Sequence, residues 1–210
     1  MEPVLESQVK KLLQERLLAL ETYLNADVMN YTGPFGGGEN VLLKIIEELA
    51  SDPQKHDSIY IILTTNGGSA NVVERIVNIL RYNYKEVNFI VPDYAYSAGT
   101  IFCMSGDNIL MDYFSVLGPI DPQVQNKEGK LVAALGYLDK INELLKKAQT
   151  NTLTQAEFVI LKDFDLAELR SYEQAKDLTI DLLKKWLVKY KFKNWNTHRT
   201  NSQKLGQLVT

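Results

Sequence analysis

The sequence predicts an α/β fold built from successive strand–helix units, with further helices at the N-terminus and the C-terminus. Two runs of branched and aromatic residues, 58–63 and 86–92, have the pattern of buried strands. Between them, residues 70–84 repeat apolar side chains at the spacing of one helix face. Parallel strands joined by a right-handed helical crossover place their carboxyl ends at one edge of the sheet, where α/β proteins bind ligands. We therefore expect the functional residues where these two strands end.

Helices flank this central unit on its N-terminal side. Residues 5–23 carry an apolar stripe typical of an amphipathic helix, and residues 41–49 form the next helix. The glycine-rich segment 30–39 lies between them and lacks the Lys-Ser or Lys-Thr that ends a phosphate-binding loop. We interpret this segment as a mobile connection, with a position beside the active site as the alternative.

The elements predicted after the second strand alternate between helix, strand and turn. They are a buried helix over 100–104, short strands at 108–111 and 115–117, a polar turn at 125–130, a helix over 131–148, a capping-box helix start at 154–157 and an amphipathic helix over 178–187. The chain is thus divided into an N-terminal helix (1–30), an α/β core (31–150) and a C-terminal helical extension (151–210).

Composition narrows the class of protein. The 210 residues are 45% hydrophobic and 23% charged with a net charge of −3, which is typical of a soluble domain and carries no signature of nucleic-acid binding. Cys103 is the single cysteine, and the two histidines, His56 and His198, lack metal-ligand spacing, so we expect no disulfide and no metal. The sequence shows no signal peptide and no apolar run of membrane-spanning length, so we expect a cytoplasmic protein without a membrane span.

The two central strands each end in a turn with the chemistry of a hydrolytic site. The first turn contains Gly67 and Gly68, which let backbone amides approach a substrate closely because no Cβ intervenes. The second places Ser97 at a helix start, beside unpaired N–H groups and the positive end of the helix dipole. These are the parts of a nucleophile and an oxyanion hole. Taken singly, each feature is also common as a plain glycine turn or a helix N-cap.

Three segments carry a resemblance to a known family: residues 62–68, 95–100 and 117–123, of which the last is the most specific. Together they resemble the serine dehydrogenase proteinase family, which belongs to the ClpP-like serine peptidases alongside the signal-peptide peptidase A class. The resemblance runs from about Arg16 to the C-terminus. It implies a ClpP/crotonase-like spiral of βαβ units, a peptide or protein substrate, no cofactor and a homo-oligomer. It also leads us to expect another helical segment after Thr210.

The resemblance implies a role for each residue of the two turns. Ser97 is the nucleophile that attacks the scissile carbonyl. The backbone N–H groups of Gly68 and Ala98 form the oxyanion hole, and Gly67 permits the close approach of the substrate.

The general base is left open by the sequence. ClpP uses a histidine in the strand after the serine helix, and the matching residues here, 118–122, contain none. Asp121 stands at or beside that position, and we expect it to support catalysis by orienting a base. A turn held by an aspartate between two prolines is the equally weighted alternative.

The signal-peptide peptidase class instead uses a serine–lysine dyad. A lysine that is desolvated in a cleft loses the stabilisation of its charged form, so it can accept a proton. Lys140 is the leading candidate because it lies in a largely apolar helical run, whereas Lys146 and Lys147 are alternatives in polar surroundings. The ordinary position of a lysine on an amphipathic helix is the surface.

The sequence thus predicts a serine endopeptidase that acts through an acyl-enzyme on Ser97 with a lysine base. Two other classes stay open. A crotonase-like acyl-CoA enzyme would use the same fold and paired amides, but a serine followed by Ala-Gly-Thr favours a nucleophile, and no basic cluster for coenzyme A is evident. A catalytically silent scaffold is the other alternative, because the histidine is missing.

Overall fold

The structure is a computed structural model that describes residues 4–36, 39–126 and 128–193. The described residues fall into two compact units. The first unit comprises those up to Gly118 together with those from Trp186 onward, and the second comprises those from Pro119 to Lys185.

A parallel sheet with helices forms the first unit. Its elements in chain order are α1 (Val4–Leu24), β1 (Asp27–Thr32), α2 (Glu39–Ala50), β2 (Ser58–Thr64), α3 (Ala70–Asn83), β3 (Glu86–Val91), β4 (Tyr94–Ala95), α4 (Ala98–Met104), β5 (Asn108–Met111) and β6 (Val116–Leu117). Strands β1, β2, β3 and β5 pair in that order and are all parallel, while β4 and β6 form a separate parallel pair. The predicted α/β fold of strand–helix units is confirmed.

The core of this unit follows from the two periods in the sequence. Ile59, Ile61 and Leu63 alternate along β2 and are all fully buried, as expected for a central strand. On α3, the buried residues recur at helical spacing and include Ile76 and Leu80. Burial of such side chains stabilises each by about 1.5–3 kcal/mol relative to exposure, so the sheet is held rigidly beneath the turns that follow its strands.

A hairpin and three helices form the second unit. Its elements are β7 (Gln123–Gln125), β8 (Leu131–Ala133), α5 (Ala134–Gln149), α6 (Gln155–Lys162) and α7 (Leu166–Trp186). Strands β7 and β8 are antiparallel. The predicted capping box is present at α6, where the Thr154 hydroxyl accepts from the Glu157 amide (3.2 Å) and the Glu157 carboxylate accepts from the Thr154 amide (2.9 Å).

Three local predictions differ from the structure, of which the first is the helix predicted over 178–187: α7 begins earlier, at Leu166. Strand β1 covers the start of the segment 30–39, which the sequence predicts to be a connection. The sequence does not indicate this strand because its apolar residues, Val28 and Met29, are too few to give a strand pattern. Residues 131–133 were predicted to begin a helix, but they pair with β7, so that α5 begins only at Ala134. A strand of three residues is too short to show a period that distinguishes it from the helix that follows.

After α7 the chain returns to the first unit, where buried side chains and ion pairs stabilise the returning segment. The π-helical turn Leu187–Lys191 follows the fully buried Trp186. Asp107 accepts a hydrogen bond from Arg81 at 2.7 Å and one from Lys193 at 2.6 Å. Burial acts to raise the pKa of Asp107, but the hydrogen bonds from Lys193, the Val87 amide and Arg81 outweigh it and lower that pKa. Among the described residues, no helix is both long and apolar enough to cross a membrane.

Candidate active site

The two turns predicted to carry the chemistry lie side by side in the first unit. Thr65, directly after β2, pairs with Ala95 of β4. The Thr65 amide donates to the Tyr94 carbonyl (3.2 Å), and the Tyr96 amide donates to the Thr65 carbonyl (2.9 Å). The chain then continues into Gly67 on one side and into Ser97 on the other, so backbone pairing fixes the distance between the two turns.

The first turn is one that only glycine can form here. Gly67 has φ +98°, and a Cβ on it would lie 2.8 Å from the Ser97 Cβ and 3.1 Å from the Ala98 nitrogen. Gly68 has φ +139°, and its Cβ would lie 2.1 Å from the carbonyl oxygen of Phe35. Real Cβ atoms do not approach other atoms so closely, so the glycines allow the turn to lie against both the serine and the loop after β1.

The backbone of Ser97 is strained. Its φ is 51° and its ψ is −117°, a combination that residues with a Cβ rarely adopt. The Gly99 amide closes the turn on the Tyr96 carbonyl (2.8 Å), and the Ile101 amide donates to the Ser97 carbonyl (3.2 Å) as α4 begins. A sharp turn from strand to helix with a strained serine at its apex is the geometry that presents a nucleophile. Ser97 is partly exposed, whereas Ala98 is buried.

The two backbone amides predicted to form the oxyanion hole are those of Gly68 and Ala98. The Gly67 carbonyl accepts from the Phe35 amide (2.8 Å), and in a trans peptide the next N–H, that of Gly68, points the opposite way. The Ala98 amide belongs to the first residue of α4, where helix geometry provides no acceptor. The Ala98 nitrogen lies close to the first turn, 3.1 Å from where a Cβ on Gly67 would stand. The role of the Gly68 and Ala98 N–H groups in an oxyanion hole stays a prediction.

The segment after β6 packs against the residue before the serine. The Gly118 amide donates to the Ala95 carbonyl (3.0 Å), and the Thr100 hydroxyl donates to the carbonyls of Ala95 (2.8 Å) and Gly118 (3.0 Å). A Cβ on Gly118 would lie 2.1 Å from the Tyr96 ring, so this glycine lets the ring pack directly against the backbone. The most specific segment of the sequence resemblance therefore begins where it supports the serine turn.

The two side chains predicted to assist Ser97 lie in the second unit. The Asp121 carboxylate accepts from the Leu135 amide (3.2 Å) in the first turn of α5. Lys140 is on the same helix, where its amine pairs with Glu143 at 2.9 Å. Its side chain is 56% exposed rather than desolvated as expected, so this conformation lacks the environment that would make it a base. The roles of Asp121 and Lys140 stay predictions.

The alternative bases are less suited by their surroundings. Hydrogen bonds to Glu157 and Glu143 raise the pKa of Lys147, which opposes a role as a base. His56 forms a hydrogen bond with Asp27 (2.7 Å) at the start of β1, the end of the sheet away from the serine turn. His198 lies outside the described residues. Within the described ranges, no cluster of three or more His, Cys, Asp or Glu side chains has the geometry to hold a metal ion.

Sequence reasoning did not identify the contribution of the loop after β1. Phe35 pairs with Gly68, and its backbone brackets the glycine turn on both sides: its amide donates to the Gly67 carbonyl and its carbonyl accepts from the Ser69 amide (both 2.8 Å). The signal available in the sequence was the glycine-rich composition of residues 30–39, for which a position beside the active site was the alternative interpretation.

Comparison with known sequences assigns the chain to a class of protein. The profile of the ClpP-like SDH-type serine proteinases matches residues 39–204, which is most of the chain. The uncharacterised Methanocaldococcus jannaschii proteins MJ0137 and MJ1495 are 37% identical over 81 residues and 38% identical over 66 residues. These stretches cover 39% and 31% of this chain but 28% and 23% of those proteins, so the match spans less than a third of their length.

Two solved structures are distant neighbours. A mutant of the 1510-N membrane-bound stomatin-specific protease matches with a TM-score of 0.40 and 23% identity, over 69% of this chain and 74% of that one. The ClpP protease catalytic domain from Plasmodium falciparum matches with a TM-score of 0.39 and 18% identity, over 76% of this chain and 86% of that one.

Proposed function

The chain belongs to the ClpP-like SDH-type serine proteinases, and we propose that it cleaves peptide bonds through an acyl-enzyme on Ser97. The observation that supports this most strongly is the strained turn at Ser97, packed against Gly67 at the carboxyl edge of a parallel sheet. A serine that merely begins a helix adopts ordinary extended angles, as Ser69 does at φ −75° and ψ 121° before α3. Strain of this kind is concentrated at functional sites.

The reaction follows from the positions of the two turns. The Ser97 oxygen attacks the substrate carbonyl carbon while its proton passes to a base, and the carbonyl oxygen becomes an oxyanion. The N–H groups of Gly68 and Ala98 stabilise that charge. The intermediate collapses, the base returns the proton to the leaving amine, and the C–N bond breaks. Water then attacks the ester in the same way, which releases the acid and restores the serine hydroxyl.

For the base we propose Lys140, supported by Asp121. The family resemblance, not a contact in the single chain, supports this assignment. To act, the Lys140 amine must exchange its pairing with Glu143 for the Ser97 hydroxyl and become desolvated. Assembly into the proposed homo-oligomer would provide such a desolvated environment by covering the exposed face of α5.

A fluorophosphonate probe tests this proposal because it reacts with activated serine hydroxyls. We expect wild-type protein to be labelled at Ser97 and Ser97→Ala to give no labelling. Lys140→Met should slow labelling by about 100-fold or more, as expected for loss of a general base. Lys162→Met, which removes an exposed lysine from α6, should react like wild type.

Each other result has a defined meaning. Labelling that persists in Ser97→Ala would place the nucleophile elsewhere. If Lys140→Met keeps the wild-type rate, Lys140 is not the base, and Asp121 acting through water or a residue of a neighbouring chain replaces it. Wild-type protein that resists the probe at every pH tested would favour the silent scaffold, which the exposed, ion-paired state of Lys140 also favours. A peptide or protein substrate, a cytoplasmic location and the absence of a cofactor stay predictions.

A further inference from the structure

The loop after β1 contacts both halves of the candidate active site through one residue, Phe35. Its backbone amide donates to the Gly67 carbonyl and its carbonyl accepts from the Ser69 amide, each at 2.8 Å. Because the Gly67 carbonyl and the Gly68 N–H share one peptide plane, the first of these bonds also sets the direction of the Gly68 N–H. The orientation of one predicted oxyanion donor therefore depends on the position of the Phe35 backbone.

The side chain of Phe35 is held just as closely. It is 2% exposed, and its ring stacks on Tyr31 with the centroids 5.2 Å apart and the planes at 8°. On another side it meets the edge of Phe102 at 5.4 Å and 84°. Phe102 belongs to α4, the helix that begins directly after Ser97, and it packs in turn against Phe89 of β3 at 4.7 Å.

We infer that Phe35 is a positioning residue that aligns the Gly68 amide with the Ser97 hydroxyl. Its backbone holds the glycine turn, while its ring packs on the helix that carries the nucleophile. The pairing of Thr65 with Ala95 sets the distance between the two turns, whereas the direction of the Gly68 N–H follows the bond between the Phe35 amide and the Gly67 carbonyl. A shift of Phe35 therefore turns the predicted oxyanion donor relative to the nucleophile. This inference rests on the proposed peptidase function and adds to it a residue that the family motifs do not contain.

A role in packing alone predicts a different outcome from a role in positioning. If Phe35 only packs, a substitution lowers the free energy of unfolding, and the molecules that remain folded react with the probe at the wild-type rate. A positioning residue changes the reaction of the folded protein itself, because a misplacement of about 1 Å at the reacting centre costs up to about 100-fold in rate. The rate of the chemical step, separated from binding, distinguishes the two roles.

The test uses Phe35→Leu, with Phe89→Leu as the matched control. Both replace a buried phenylalanine whose ring contacts Phe102, but Phe89 lies on β3, and among the described residues its ring pairs with neither Tyr31 nor Phe35. With the fluorophosphonate probe, we expect Phe35→Leu to lower the maximal rate of inactivation by about 10- to 100-fold at an unchanged half-saturation concentration. Phe89→Leu should stay within about twofold of wild type, since it leaves both turns in place.

Amide hydrogen exchange at Ser69 provides a readout that needs no activity, because that amide donates to the Phe35 carbonyl. It should exchange faster in Phe35→Leu than in Phe89→Leu. Equal effects of the two variants on both readouts, or no effect of Phe35→Leu, would overturn the inference. Should wild type resist the probe while Ser69 exchange still distinguishes the variants, the peptidase proposal fails and the alignment of the turn by Phe35 stands. If Phe35→Leu does not fold, Phe35→Met keeps the volume without the flat ring and serves the same comparison.

Discussion

Replacement of the strained serine by glycine is predicted to stabilise the fold relative to replacement by alanine. Ser97 holds φ 51° and ψ −117°, which a Cβ disfavours and which glycine adopts freely. Both variants lose the hydroxyl and whatever it contacts, so the comparison between them isolates the backbone. Alanine retains the strain, whereas glycine removes it.

The expected difference in free energy of unfolding between the glycine and alanine variants results from two opposing effects. A residue with a Cβ in such a region costs about 1–3 kcal/mol. Glycine costs about 0.4–1 kcal/mol of its own, because it makes the unfolded chain more flexible. We therefore expect Ser97→Gly to exceed Ser97→Ala in free energy of unfolding by about 0.5–2 kcal/mol.

Urea denaturation followed by circular dichroism measures the two free energies. Ser105, at the other end of α4, is the control position, since its φ of −78° and ψ of −9° suit any residue. There the order should reverse, with Ser105→Ala about 0.5–1 kcal/mol more stable than Ser105→Gly. If alanine is equal or better at position 97 as well, the strain is absent and the main argument for a nucleophilic turn is lost.

Two further perturbations test the contacts around the site and the return of the chain. Gly67→Ala combines a strained φ with a Cβ 2.6 Å from the Tyr96 carbonyl oxygen, so it should lower the free energy of unfolding by about 2–4 kcal/mol and abolish labelling. The control is Gly129→Ala, where φ is +77° and the space around the Cβ is open, and it should lower that free energy by about 1–2 kcal/mol. Asp107→Asn breaks a pair with Arg81 in which the side chains are 9% and 7% exposed, so we expect a loss of about 3 kcal/mol at pH 7. Because folding lowers the pKa of Asp107, the stability that its carboxylate contributes is present above the pKa of the unfolded chain and is lost as the pH falls through the lower pKa of the folded protein. The free energies of unfolding of wild type and Asp107→Asn should therefore converge below about pH 4. Convergence only at alkaline pH would contradict this sign.

The central strands and the two turns were predictable because their signals are local. Strands β2 and β3 lie inside a parallel sheet, and branched and aromatic residues predominate in both. Each strand is followed by a turn, marked in the sequence by the glycine pair 67–68 or by a serine at a helix start. Parallel pairing then brings the turns together without information from elsewhere in the chain.

The parts that escaped prediction depend on contacts between distant segments. Strand β1 is at the edge of the sheet, and its later residues are partly exposed, so its sequence resembles a loop. The bracket that Phe35 forms around the glycine turn joins residues more than thirty positions apart, and no periodicity encodes it. The exposure of Lys140 likewise depends on which residues pack against α5. The apolar spacing in the sequence indicates only that one face of this helix is buried.

The strain at Ser97 is offset by hydrogen bonds around the serine turn. The Tyr96 and Gly99 amides and the Thr100 hydroxyl each make backbone-directed hydrogen bonds around the serine, and each such bond contributes about 0.5–1.5 kcal/mol. Together they offset a cost of about 1–3 kcal/mol without help from a ligand. The strained conformation at Ser97 therefore needs no ligand to maintain it, and it belongs to a unit that contains neither Lys140 nor Asp121.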